Sequence, residues 1–175
     1  MAAVRLQRLT LSLIGFVAGL ALVSTFWGVW FHPRQSISLY WLSETGGNTL
    51  SYVVQERRVP ASNSTEAIAS ALELLINPNQ ANLISAVPPT TQVLGVRTEG
   101  NDVFLDFSAD FASGGGSTSV LGRIVQVLYT ATSQNPEARV WISINGEALE
   151  VLSGEGLILD QPLTRESFRA ALQQP

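Results

Sequence analysis

A run of 23 uncharged, mostly apolar residues from Leu9 to Phe31 constrains this chain more than any other feature. About 20 apolar residues in a helix suffice to cross the hydrocarbon core of a bilayer. Arg5 and Arg8 precede the run and only Arg34 follows it closely, and positively charged flanks tend to stay in the cytoplasm. The run therefore predicts a single transmembrane helix with a cytoplasmic N-terminus. Everything after it is then expected in the periplasm or an equivalent outer space.

A cleaved signal peptide is the alternative interpretation of this run. Gly19 and Ala21 form a weak small-x-small cleavage pattern. The apolar stretch continues beyond them to Trp27 and Trp30, whereas a cleaved segment is apolar over only about 7–15 residues. Tryptophans at the far end are typical of a membrane-interface belt, so an anchor is favoured over cleavage. Because the chain has no cysteine, we expect no lipid anchor on that residue.

Composition limits what the rest of the chain does. Lysine and cysteine are absent, and the residues beyond 35 carry seven arginines against fourteen acidic residues, a net charge of −7. Nucleic acid and anionic headgroups repel such a surface, so no nucleic-acid partner is expected. The predicted organisation is a cytoplasmic N-terminus (1–8), a transmembrane helix (9–31), a linker (32–35), one domain (36–165) and a C-terminal helix or tail (166–175).

Hydrophobic periodicity predicts an α+β fold with the order ββα-ββα-β. Strands are expected at 36–42, 50–59, 92–98, 103–108 and 139–144, and helices at 63–76 and 119–132. Asn63 and Glu66 form a capping-box pattern at the first helix, and Asn145-Gly146 predicts a hairpin whose return strand lies within 147–152. A mostly antiparallel sheet with both helices on one face is the natural packing. The predicted core comprises Leu39, Leu72, Leu75, Val103, Leu105, Ile124, Leu128, Val140, Ile142 and Ile144.

A series of motifs in this order resembles the GerMN domain, the sporulation and spore-germination domain. The segments are Val53–Pro60 (VVQERRVP), Ala71–Pro78 (ALELLINP), Leu83–Pro88 (LISAVP), Val103–Phe111 (VFLDFSADF), Val125–Thr132 (VQVLYTAT) and Val140–Gly146 (VWISING). The resemblance covers roughly residues 36–165. It implies a fold similar to the ring-building motif of envelope channel proteins, and an extracytoplasmic, membrane-tethered module without established catalytic residues.

This chain differs from the spore-former pattern in two respects. It has one copy of the domain where the spore protein has a tandem pair, and a predicted transmembrane anchor where many members carry a lipid on cysteine. Family members also occur in bacteria that make no spores. The resemblance therefore does not assign this chain to sporulation.

The residue inventory excludes most catalytic devices. His32 is the only histidine and lies at the predicted membrane boundary, so the domain cannot build a Ser-His-Asp triad. Without lysine or cysteine there is no Schiff base, no Ser-Lys dyad and no thiolate zinc ligand. We therefore predict no catalytic residues, no cofactor site and no metal site.

Two motifs resemble ligand-binding loops but lack residues that such loops require. Gly114–Thr118 (GGGST) lacks the lysine of a phosphate-binding loop and is interpreted as a loop with a Ser/Thr helix cap. Asp102, Asp106, Ser108 and Asp110 place oxygens at calcium-loop spacing, but the required Gly and Glu positions are missing. Asp106 is instead predicted to be a polar residue on a strand face, and Asp110 a turn former.

Two candidate interaction sites remain. Glu56, Arg57 and Arg58 at the end of a strand form a possible contact for a protein partner or wall glycan, or simply a solvated group of charges. Gly15 and Gly19 form a G-x-x-x-G pattern that lets transmembrane helices approach closely, which is a route to homo-oligomers.

The predicted function is a non-enzymatic, membrane-anchored, extracytoplasmic module that binds proteins or peptidoglycan. One alternative is an accessory single-pass subunit of a larger membrane complex. The other is a carboxylate-dependent hydrolase of wall glycan, whose signature would be two acids about 5–10 Å apart in a cleft.

Overall fold

The computed structural model describes residues 33–45, 49–78, 83–152 and 157–169. The predicted span Leu9–Phe31, with Gly15, Gly19 and His32, lies outside these ranges. So do the 46–48 turn and residues 170–175 of the predicted C-terminal segment. No helix within the described residues has both the length and the apolar character needed to cross a bilayer.

Eight strands and two α-helices make up the described elements. The strands are β1 (Arg34–Thr45), β2 (Thr49–Pro60), β3 (Val93–Glu99), β4 (Asp102–Phe107), β5 (Arg139–Ile144), β6 (Glu147–Ala148), β7 (Val151–Leu152) and β8 (Leu157–Ile158). The helices are α1 (Ser64–Ile76) and α2 (Ser117–Ala131), and a 3-10 turn at Ala109–Ala112 precedes α2. The predicted order ββα-ββα-β is confirmed.

The predicted mostly antiparallel pairing is confirmed, but the described strands form three sheets rather than the one expected, and one strand pair is parallel. β1 and β2 form a separate two-stranded antiparallel sheet, β3 to β6 form a mixed sheet in the order β3-β4-β5-β6, and β7 pairs with β8. β4 and β5 run parallel, from Asp102 opposite Arg139 to Phe107 opposite Ile144. The cause is α2, which lies between these strands in sequence and returns the chain to the same end of the sheet, as a crossover connection does. Only part of the predicted return strand pairs with β5, namely Glu147 and Ala148.

The core prediction agrees closely with the structure. Nine of the ten predicted residues are buried, and Ile144 is partly buried and packs against the same cluster. In β4 the buried side chains are Val103, Leu105 and Phe107, while the alternate positions are only half-buried. α1 packs against β1, β3 and α2, and α2 packs against β1.

The start of α1 shows how the sequence specifies its boundary. The Asn63 side-chain oxygen accepts a hydrogen bond from the Glu66 N–H at 2.9 Å. The Glu66 carboxylate reaches back and accepts from the Ser62 N–H at 2.6 Å. The predicted capping box is therefore present, with the reciprocal bond displaced by one residue from the cap to Ser62.

Candidate interaction surface

The edge of β1 that faces away from β2 is closed by polar side chains of α2, which hydrogen-bond its backbone in place of another strand. Gln126, which is 0% exposed, donates from Nε2 to the Tyr40 carbonyl at 3.0 Å. The Thr130 hydroxyl accepts from the Tyr40 N–H at 3.2 Å. Because Gln126 and Thr130 are one helical turn apart, they present adjacent polar groups to one strand edge.

The same edge is closed at its two ends as well. Next to α2, the Ser133 hydroxyl accepts from the Ser38 N–H at 3.3 Å. Farther along the strand, Leu42 and Ile84 exchange two backbone hydrogen bonds of 2.9 and 3.0 Å. The remaining polar atoms of Gln126 join this region, since its Oε1 accepts from the Ala86 N–H at 2.7 Å. The edge of β1 from Ser38 to Leu42 is therefore occupied by contacts with α2, Ser133 and Ile84.

This arrangement fixes which backbone groups of β2 point outward. In an antiparallel pair, opposite residues alternate between exchanging hydrogen bonds with each other and directing them away from each other. Ser38, Tyr40 and Leu42 direct theirs toward α2 and Ile84, and they lie opposite Glu56, Val54 and Tyr52. The N–H and C=O groups of these three β2 residues, and of Arg58 in the same alternation, therefore point away from β1.

Within the described ranges, these outward backbone groups of β2 have no hydrogen-bond partner. The side chains beside them are exposed: Val53 is 41% and Val54 is 53% accessible. β2 is 12 residues long and pairs with β1 without a register shift. It is a long, regular strand with an open edge, which is the kind of element that accepts another strand.

The predicted contact residues Glu56, Arg57 and Arg58 lie on this strand, and all three are exposed. Glu56 accepts a hydrogen bond from the Ser36 hydroxyl, and Arg57 Nε donates to the Gln55 side chain at 3.0 Å. None of the ion pairs among the described residues joins these charges to one another. In this regular strand Glu56 and Arg58 lie on one face of the hairpin and Arg57 lies on the other, and their role in binding stays a prediction.

The outer strand of the mixed sheet, β3, offers a poorer edge. It is seven residues long and carries a register irregularity between Val93 and Gly95. Its Thr98 hydroxyl is hydrogen-bonded to Thr65 of α1 at 2.6 Å. Leu94 of β3 is 48% exposed, which is similar to Val54. It is therefore a matched control position for substitutions at Val54.

The glycine-rich segment is held by a buried arginine. Arg123, only 1% exposed, donates from Nε to the Ala86 carbonyl at 3.0 Å and from Nη2 to the Gly114 carbonyl at 3.1 Å. Nη1 donates to the Phe111 carbonyl. Burial lowers the pKa of the Arg123 guanidinium from its usual value. The N-cap of α2 is Gly116, without a side-chain cap, so the predicted Ser/Thr cap is wrong.

The acidic residues at calcium-loop spacing have separate structural partners. Asp102 accepts two hydrogen bonds from Arg139, at 2.7 and 2.8 Å. Asp106 accepts from the Ser143 hydroxyl at 2.7 Å and from the Gly146 N–H at 2.9 Å, so it is a strand-face residue that holds the β5–β6 turn. Asp110 lies in the 3-10 turn. No cluster of three or more potential acidic, histidine or cysteine ligands occurs in the part of the chain that is described.

One open cavity of about 750 Å³ brings two carboxylates to the same surface. Glu73 of α1 and Asp110 line it, together with Asn77, Pro89, Thr90, Thr91, Gln92 and Val93. Both carboxylates are exposed. A catalytic acid needs partial desolvation to raise its pKa, and neither carboxylate has a desolvated position.

Sequence reasoning missed Gln126, Thr130 and Arg123, which organise this surface. All of α2 from Gly122 onward is buried, so periodicity reveals an apolar stripe but not the polar groups within it. A signal was available, because an uncharged polar pair one turn apart in an apolar helix requires buried partners.

The fold defines a small α+β domain in which a hairpin is attached to a mixed sheet and two helices. The family model described as Germane, sporulation and spore germination, matches residues 38–150. The chain therefore belongs to this family, and the GerMN resemblance is confirmed.

Solved structures agree with this assignment. The first GerMN domain of the sporulation protein GerM from Bacillus subtilis is 26% identical, with a TM-score of 0.57, over 75% of this chain and 98% of that one. The tandem GerMN domains of the same protein are 25% identical with a TM-score of 0.59, over 77% of this chain and 48% of that one. A protein described as a candidate lipoprotein from Clostridium perfringens shares the fold at 17% identity and a TM-score of 0.54, over 77% of this chain and 89% of that one. No curated protein matches the chain.

Proposed function

We propose that this chain is a non-enzymatic, membrane-anchored, extracytoplasmic assembly module that binds a protein partner by adding a strand to β2. The observation that carries the proposal is the asymmetry of the hairpin. Side chains of α2 close the edge of β1, whereas the edge of β2 has no partner within the described residues. An edge of this kind supplies main-chain hydrogen bonds, and the neighbouring side chains supply specificity.

Anchoring and location are part of the proposal. The apolar run Leu9–Phe31 and its arginine flanks support an N-in, single-pass topology. An accessory subunit of a larger membrane complex would use the same edge of β2, so that interpretation differs only in the identity of the partner. Peptidoglycan is the other predicted partner, for which the described surface offers Glu56, Arg57 and Arg58.

A wall-glycan hydrolase is the second candidate function, because Glu73 and Asp110 share a cavity. Purified peptidoglycan incubated with the full chain is expected to stay intact, with or without Glu73→Gln and Asp110→Asn. Release of soluble muropeptides that is lost in these two variants would instead establish the hydrolase.

The assembly function is tested by the size of the complex that contains the full chain in mild detergent. Val54→Lys places a charge in the middle of the open edge, and Leu94→Lys places one at a similarly exposed position on β3. We expect the wild type and Leu94→Lys to sediment in an assembly larger than the monomer, and Val54→Lys to sediment as a monomer. An assembly that withstands Val54→Lys but not Leu94→Lys would contradict the use of β2.

A further inference from the structure

We propose that the strand added to β2 is β2 of a second copy of this chain, paired antiparallel about a two-fold axis at Val54. This inference rests on the proposed assembly function and names its partner. Whatever occupies the edge must be an extended strand, because the open groups alternate along β2 at Tyr52, Val54, Glu56 and Arg58.

The charge pattern of β2 suits its own reversed copy. All of its charges, Glu56, Arg57 and Arg58, lie in one half, and residues 49–55 carry none. Antiparallel self-pairing places the charged half of each strand against the uncharged half of the other. Opposite-strand like charges, which destabilise a sheet, are thereby avoided.

The register follows from the same pattern. An axis at Glu56 or Arg57 would set that residue against its own copy, opposing like charges directly. An axis at Gln55 would bring Pro60, which has no N–H, into the open-edge alternation. Axes at Val54 or at earlier residues avoid both, and of these the axis at Val54 pairs the longest part of β2, residues 49–59. It sets the exposed Val54 of one copy against that of the other. Val53 then lies opposite Gln55, and Tyr52 lies opposite Glu56.

Such a pairing is expected to depend on anchoring. A single added strand buries little surface, and interfaces of small area associate weakly. Two copies anchored in one membrane have a high effective concentration, which compensates for a weak contact. Self-pairing should therefore be strongest for the full chain in membranes.

Cysteine cross-linking tests the geometry without interference, since the chain has no cysteine of its own. In a hydrogen-bonded antiparallel pair, opposite Cα atoms are about 5.5 Å apart, within the range that a disulfide spans. We expect the full chain carrying Val54→Cys to form a disulfide-linked dimer in membranes, and Leu94→Cys to stay monomeric. Dimers from Leu94→Cys alone would overturn the proposal.

Charge exchange at the axis tests the partner's identity. Val54→Lys and Val54→Glu are each expected to weaken self-association about tenfold, since each sets like charges opposite one another. An equimolar mixture of the two variants should restore it, and unchanged near-ultraviolet circular dichroism controls for folding. If the mixture does not restore self-association while Val54→Lys alone still breaks up a larger assembly, the second-copy proposal is wrong. The assembly function then stands with a different partner.

Discussion

At the scale of single residues, buried polar side chains determine how the helices and loops are joined. Gln126 connects β1 and the 83–87 segment to α2 through the Tyr40 and Ile84 carbonyls and the Ala86 N–H. Arg123 performs the same task for the glycine-rich segment. The sequence predicted the apolar half of α2 correctly, whereas these contacts depend on groups distant in sequence that no local pattern reveals.

Replacing Gln126 is expected to be costly. Gln126→Leu leaves the Tyr40 carbonyl and the Ala86 N–H without their partner and removes one of the two donors to the Ile84 carbonyl, and we expect the free energy of unfolding to fall by about 3 kcal/mol. Gln134, an exposed residue that bonds the Ser36 carbonyl at 2.9 Å, provides the control, and Gln134→Leu should cost less than about 1 kcal/mol. Denaturant unfolding followed by tryptophan fluorescence measures both. Equal losses would mean that Gln126 is not needed to close the edge.

Gly115 is expected to accommodate a side chain less well than its neighbour Gly114. It has φ +86°, and an added Cβ would lie 2.9 Å from the Ser119 hydroxyl oxygen. Gly114 has a similar φ of +66° but no atom within 4 Å of such a Cβ. We expect Gly114→Ala to cost about 1 kcal/mol and Gly115→Ala about 2 kcal/mol or more, measured by thermal unfolding. A smaller loss at Gly115 than at Gly114 would contradict this account of the loop.

At the scale of elements, sequence periodicity predicted the order of helices and strands and most of their boundaries. It did not predict that the hairpin forms its own sheet or that β4 and β5 are parallel. Strand pairing is a long-range property, and alternating side chains report only which face is buried. The helix between β4 and β5 did carry the topological information, because a crossover of this length favours a parallel return.

The β1–β2 hairpin also contains a tyrosine, Tyr52, whose ionisation affects the stability of the domain. Burial, with a smaller contribution from Tyr129, raises the pKa of Tyr52 on β2 to about 12, from 10.0. Because the pKa of Tyr52 is higher in the folded state than in the unfolded state, its contribution to stability is fully present below pH 10. That contribution is lost as the pH rises from 10 toward 12. We expect the unfolding free energy to decline over this interval, and Tyr52→Phe to flatten the decline. An unchanged profile in Tyr52→Phe would assign the loss to other groups.

At the scale of the whole molecule, the family is recognisable from the sequence because most of its motifs coincide with the elements β2, α1, β4, α2 and β5. The candidate site was recognised only in part. The charges of Glu56, Arg57 and Arg58 are visible in the sequence, while the open backbone edge beside them follows from how α2 closes β1. That relation joins residues about 90 positions apart, as in the hydrogen bond between Tyr40 and Thr130, and no motif records it.

Amide hydrogen exchange along β2 tests the open edge most directly. In dilute full-length protein in detergent, we predict slow exchange at Val53, Gln55 and Arg57, whose N–H groups point to β1, and fast exchange at Tyr52, Val54, Glu56 and Arg58. Concentrating the protein, or reconstituting it in membranes, should slow the second set selectively. Uniform protection of all seven amides in the dilute protein, or no alternation between the two sets, would contradict the account.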